Sequence, residues 1–193
     1  MRDITVNEMN FVLTLLKNPT EEFNSRNIAE KIEISHMGSF KIAKKLEKEG
    51  IIVSKKIGRG TYYRLDLERD YVKQYIKFLI KREAEQAHPY VKRWLNELKK
   101  IAKADIIVLF GSVLIKHGDS RDVDVLLVTD NKKFNLLKKE VDAINLINQK
   151  KVHPLYQNKE DLKNNIIKGD KVIINALRGI VVFGEDILLE IIK

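Results

Sequence analysis

The chain has 193 residues, of which 44% are hydrophobic and 33% charged, and a formal net charge of +9. That balance belongs to a globular protein of one large or two small domains and excludes a disordered chain. No apolar run approaches the ~20 residues needed to cross a bilayer, and the lack of cysteine excludes disulfides, thiol nucleophiles and cysteine-ligated zinc.

The four histidines, at 36, 88, 117 and 153, have no zinc-hydrolase spacing. Met1 to Ile4 includes Asp3 and no signal-peptide core, so a cytoplasmic location without a membrane partner is expected. Charge is uneven. Residues 1–70 carry 13 Lys/Arg against 11 Asp/Glu, residues 71–104 carry 9 against 3, and residues 105–193 carry 14 against 13. A basic surplus suits a polyanion such as nucleic acid, and a solvated lysine-rich surface gives the same count.

In chain order, residues 5–17 place Val6, Met9, Val12 or Leu13, and Leu16 at helical spacing, and Asn18-Pro19-Thr20 ends that helix. Ser25 is a cap for a second helix with Ile28, Ala29 and Ile32 on one face. Ser35 is the cap of a third, His36 to about Glu49, whose expected apolar stripe is Met37, Phe40, Ala43 and Leu46. Gly50 suits its end. Two β-prone segments, 51–57 and 61–67, flank Gly58-Arg59-Gly60 and read as a hairpin. Residues 1–68 therefore form three helices and a hairpin, the winged-helix arrangement.

Residues 69–88 read as a helical connector with Tyr71, Tyr75, Phe78 and Leu79 as buried candidates. Pro89 opens a helix to about Lys103 with Trp94, Leu95, Leu98 and Ile101 inward. The apolar run Ile106–Phe110 reads as a central strand buried on both faces. A loop over 111–121 leads to a second strand, Asp122–Val128. A helix over 133–148, an edge strand near 152–156, helices over 160–168 and 170–178, a last strand over 179–184 and a short apolar helix complete residues 89–193. The expected class is α/β and α+β in two domains, the second a mixed sheet flanked by helices.

Chemistry concentrates at 111–124. Gly111 directly follows a buried strand and permits close backbone approach, and Ser112 adds a hydroxyl, so the pair suits a phosphate. Asp122 and Asp124 lie two apart on a strand and point to one face. Two close carboxylates repel unless a cation joins them, and Mg²⁺ commonly takes one or two carboxylates plus substrate phosphates. Arg121 should point to the opposite face.

Gly111-Ser112, nine intervening residues and Asp122-Val-Asp124 resemble the signature of the DNA polymerase beta-like nucleotidyltransferases, over roughly residues 90–185. The resemblance implies that Gly111 and Ser112 grip nucleotide phosphates and that Asp122 and Asp124 are catalytic and hold Mg²⁺. Lys116 stands in for a phosphate-binding arginine, and the expected cofactors are Mg²⁺ and a nucleoside triphosphate, ATP first. Active members carry a third acid on a later strand. The corresponding segment, Lys151 to Tyr156, has none, and His153 is either its stand-in or a surface histidine.

The first 68 residues resemble winged-helix transcriptional regulators, which place the third helix in the major groove of duplex DNA. The resemblance implies DNA contacts from His36, Ser39, Lys41, Lys44 and Lys45 on that helix, and from Lys55, Lys56 and Arg59 on the wing. Such regulators usually read two half-sites, so a homodimer is expected. Three readings stay open. One is a DNA-binding regulator carrying a Mg-nucleotide-binding domain. Another is an active nucleotidyltransferase, acting on a protein or RNA hydroxyl and targeted by its winged helix. The third is a scaffold in which both domains have lost chemistry and mediate assembly.

Overall fold

The computed structural model describes residues 4–193. Met1 to Asp3, read above for a signal sequence, lie outside them. The chain divides into two compact units, one up to Leu79 and one over Ile80–Ile192.

In the first unit, α1 (Val6–Lys17) starts at Thr5, whose hydroxyl accepts from the Glu8 N–H while the Glu8 carboxylate accepts from the Thr5 N–H. That reciprocal cap satisfies two amides that the first turn leaves unpaired. A two-residue strand, β1 (Phe23–Asn24), follows, too short to leave a pattern in the sequence. The cap of α2 (Ser25–Lys31) is Asn24 rather than Ser25. Its side chain accepts from Arg26 and Asn27, and the Asn27 side chain answers to the Asn24 N–H. Ser35 caps α3 (His36–Lys48) through the Gly38 N–H.

Strands β2 (Ile52–Ile57) and β3 (Gly60–Leu65) pair antiparallel with Ile57 opposite Gly60. The turn between them is therefore Gly58-Arg59, two residues instead of three, with Gly58 at φ +58°. Such tight hairpins require positive φ at the first turn residue. With β1 the sheet order is β1-β3-β2. Phe11, Val12, Leu16, Ile28, Ala43, Leu46, Ile51 and Ile52 are buried between the helices and the hairpin. Three helices and a paired wing make this unit a winged helix.

Helix α4 (Asp70–Gln86) crosses the division between the units. Its buried residues are Val72, Ile76, Leu79 and Ile80, whereas Tyr71 and Phe78, expected inside, are 62% and 53% exposed. The buried stripe follows the β-branched and leucine positions and turns the larger aromatics outward.

The second unit opens with α5 (Pro89–Leu98), five residues shorter than expected. The chain leaves the helix because the Glu140 carboxylate accepts from the N–H groups of both Ala102 and Lys103 at 3.0 Å. Four strands follow: β4 (Ile106–Phe110), β5 (Val123–Val128), β6 (Val152–Gln157) and β7 (Ile180–Phe183), in the order β6-β5-β4-β7. Strand β4 pairs antiparallel with β5 and β7, and β5 pairs parallel with β6. This is a mixed sheet with β6 at one edge.

One face, with Ile107, Leu109, Val123, Val125 and Leu127, packs into a core shared with Trp94 and Leu98 of α5 and with Leu137, Val141 and Ile144 of α7 (Phe134–Ile147). The alternate face, with Ile106, Val108, Leu126 and Val128, is equally buried. There α9 (Lys171–Leu177) and α10 (Glu185–Ile192) pack on β4, and α8 (Lys159–Ile167) packs beside them. Burial on both faces explains the unbroken apolar runs of β4 and β5. The expected loop over 111–121 contains a short helix, α6 (Val113–Lys116), and a 3-10 turn, His117–Asp119.

Candidate nucleic-acid interface and candidate nucleotide site

In the first unit α3 presents one open face. Ser39, Ala43 and Leu46 are fully buried, so the helix packs along i, i+4 and i+7. The residue after Ser39 is turned about 100° round the axis. Accordingly Phe40, expected in the core, is 40% exposed and Met37 is 60% exposed, while Ser39, expected to face DNA, is inside. The open face carries His36, Met37, Phe40, Lys41, Lys44 and Lys48.

Lys45 also departs from its expected place. It turns toward α1, where its ammonium donates to the buried Glu8 carboxylate, and it does not face outward. Burial raises the Glu8 pKa, but hydrogen bonds from Lys45 and the Thr5 backbone, with the Lys45 charge, outweigh it and hold the carboxyl below its usual range. Lys44 stays on the open face, with its ammonium 2.9 Å from Glu47 and 5.9 Å from the Phe40 ring centre. Ser54 on β2 donates to the other Glu47 oxygen. Ser54, then Lys44, hold Glu47 in its charged form against the smaller effect of desolvation, so Glu47 ties the wing's base to α3.

The wing residues divide by strand alternation. Lys56 stands opposite Thr61, and Lys55 opposite Tyr62. Thr61 lines a groove of about 560 Å³ with Ser25, His36, Phe40, Lys44 and Arg59. Lys55 and Tyr62 line a different groove with Glu21 and Glu22. Lys56 therefore shares the α3 side of the wing, and Lys55 lies away from it. His36 closes the base of the α3 groove through a 2.9 Å contact with the Ser25 hydroxyl. Ser25, Thr61 and Tyr63 are groove residues that the sequence reading does not single out. The hydroxyl beside the α2 cap and the cross-strand register are the signals that mark them.

In the second unit the chemistry sits at one end of the sheet. Phe110 pairs with Asp124 across β4 and β5, and Asp124 pairs with His153 across β5 and β6. Gly111 adopts φ +79°, and a Cβ there would overlap the Asp124 carboxylate. Only glycine lets the backbone come so near that acid. His153 Nδ1 lies 3.2 Å from Asp124 Oδ1. The imidazole thus stands beside Asp124 on the neighbouring strand, β6.

Ser112 and Asp122 flank the loop, both half-buried, and Lys116 is exposed at the end of α6. The loop between them is anchored. His117, at φ +49°, stacks on His88 with ring centres 3.8 Å apart, and Ser120 donates to the His117 carbonyl while its own carbonyl accepts from Lys150. The structure thus brings together Gly111, Asp124 and His153. Among the described residues no three His, Asp or Glu side chains form a metal-ligating cluster. Asp122 stands just before β5 and Asp124 within it; carboxylates are the donor type Mg²⁺ takes, and these two would hold it together with a substrate phosphate.

No protein-family model matches the chain, and no curated protein does. Among solved structures it is similar to the adhesin competence repressor AdcR of Streptococcus pyogenes, with 14% identity over 73% of this chain and 77% of that one, at a TM-score of 0.38. It is also similar to a point mutant of ZitR from Lactococcus lactis, with 19% identity over 50% of this chain and 59% of that one, at 0.35. Wild-type ZitR in complex with DNA gives 17% identity over 51% of this chain and 75% of that one, at 0.31. ZitR is described as a zinc-responsive MarR family member. No helix among the described residues is long and apolar enough to cross a membrane.

Proposed function

We propose that this chain is a DNA-binding protein acting as a transcriptional regulator, with α3 lying in the major groove and the wing on the flanking backbone. One observation carries the reading: the open face of α3, where Lys41 and Lys48 are exposed, puts Lys44 on the same groove as Arg59 of the wing. Cations on both sides of one groove suit two rows of phosphates. Sharing of DNA by two copies fits the outward aromatics of α4, so the functional form is a homodimer. Salt-dependent titration of duplex DNA tests the reading.

The second unit, on the same proposal, binds a Mg-nucleotide. The contact of Gly111 with Asp124 supports it. Gly111 and Ser112 would receive phosphate, Lys116 would offset its charge, and Asp122 and Asp124 would hold Mg²⁺. The bound ion would neutralise the polyphosphate. A second reading, an active nucleotidyltransferase acting on a protein or RNA hydroxyl, is favoured by the paired acids alone. In that reaction the hydroxyl oxygen attacks the α-phosphorus and pyrophosphate leaves. His153, 3.2 Å from Asp124, would have to accept the hydroxyl's proton.

A further inference from the structure

The open face of α3 is not uniformly basic. Its first turn and a half carries Met37 and Phe40, and the exposed lysines follow at 41, 44 and 48. Met37 at 60% exposure and Phe40 at 40% are large apolar groups at i and i+3, on one side of the helix. The ammonium of Lys44 lies 5.9 Å from the Phe40 ring centre, so the ring sits inside the basic groove and not at its margin. Exposed apolar side chains ringed by cations need a partner that is both anionic and locally apolar. A duplex major groove is such a surface. Its walls are phosphates, and its one apolar feature is the C5 methyl of thymine. Recognition helices also touch base edges with their N-terminal residues, the part of α3 where Met37 and Phe40 lie.

We propose that Met37 and Phe40 read thymine methyl groups, so that this chain selects duplex sites with thymine at the positions facing the start of α3. The proposal rests on the DNA-binding reading above and adds the base that is read. It also explains why a helix with a polar alternative for each surface position keeps two hydrophobes in water: the cost of exposing them is recovered when methyl and ring are desolvated together.

The test uses the full chain and a duplex selected from a random pool. Each thymine of the selected site is replaced in turn by uracil, which removes only the methyl. The proposal expects one or two positions at which uracil weakens binding about fourfold, the size of one buried methyl. Phe40→Ala or Met37→Ala should bind the thymine and uracil duplexes equally at one such position. Lys41→Ala should weaken both duplexes alike and keep their ratio. Both apolar variants alter exposed positions, and circular dichroism checks that they fold. Uracil tolerated at every position, with duplex binding intact, overturns the thymine assignment and leaves DNA binding standing. Duplex binding indifferent to Phe40→Ala and Met37→Ala overturns it too and assigns the apolar face to a protein. Failure to bind any duplex overturns the DNA-binding reading itself.

Discussion

The ammonium of Lys45 on α3 reaches the carboxylate of Glu8 on α1, and that pair joins the third helix of the winged helix to the first. The Glu8 side chain is only 5% exposed, so losing the lysine leaves a carboxylate in a dry place. Lys45→Met is predicted to cost about 2–3 kcal/mol, the range for a charged group left without its partner. Lys41→Met, on the open face, should leave the urea midpoint unchanged. The pair also sets an acid limit. The folded pKa of Glu8 is lowered from 4.5, so its contribution is complete above that value and is lost as pH falls through the lowered one. Wild type should therefore lose stability more steeply below pH 4.5 than Glu8→Gln. Parallel profiles for the two would reduce the pair to an ordinary surface bridge.

Asp122→Asn with Asp124→Asn is predicted to abolish Mg²⁺-dependent ATP binding, since the pair loses its charge while keeping its shape. Unfolding temperature and DNA affinity should not change, because neither acid lies in the core of its unit. Calorimetry is the check. Equal ATP affinity in wild type and the double variant sinks the nucleotide assignment.

His153→Asp tests the missing acid. The register places residue 153 beside Asp124, so an aspartate there completes a set of three carboxylates. Wild type is expected to transfer label from α-labelled ATP slowly or not at all. The variant should gain activity by ~10²-fold, the lower range for a positioned base. Transfer by wild type at a rate that His153→Asp reduces would favour the enzyme reading instead.

Helix periods, the Ser35 cap and the existence of the hairpin were legible, because apolar spacing and residues such as Ser35 and Gly58 act locally, whereas the α2 cap falls one residue earlier, on Asn24, and the hairpin turn is one residue shorter than expected. The phase of α3 was not. Ala43 and Leu46 fit a stripe through either residue 39 or residue 40, and hydrophobicity favours Phe40 over Ser39. Packing chose the small side chain for the inside, and that choice depends on neighbours that no local pattern reveals. The same holds for Tyr71 and Phe78, which look like core residues and face outward. In the second unit, the spacing of Gly111, Ser112, Asp122 and Asp124 marked the candidate site, and the structure brings Gly111 against Asp124. The approach of Gly111 to Asp124 came from β4 pairing with β5, and the choice between the two readings of His153 came from β5 pairing with β6 across 29 residues of chain.

The outward aromatics of α4 predict association. Tyr71 and Tyr75 have ring centres 6.5 Å apart, and Phe78 continues the same stripe. Light scattering should give twice the chain's 22.4 kDa at micromolar concentration, and Tyr71→Asp with Phe78→Asp should give the single mass. Trp94 takes no part, since it is fully buried in the second unit's core. A single mass for wild type removes the dimer.

On the proposed function, α3 and the wing together hold duplex DNA. Each phosphate contact released by salt adds to the slope of log affinity against log salt, by about 0.9 per contact in B-DNA. Titration of a selected duplex over a series of salt concentrations measures that slope. The prediction is a steep fall for wild type, with Lys44→Ala and Arg59→Ala each binding more weakly and each lowering the slope by about one. No measurable duplex affinity at low salt, or a slope unchanged in the double variant, would contradict it.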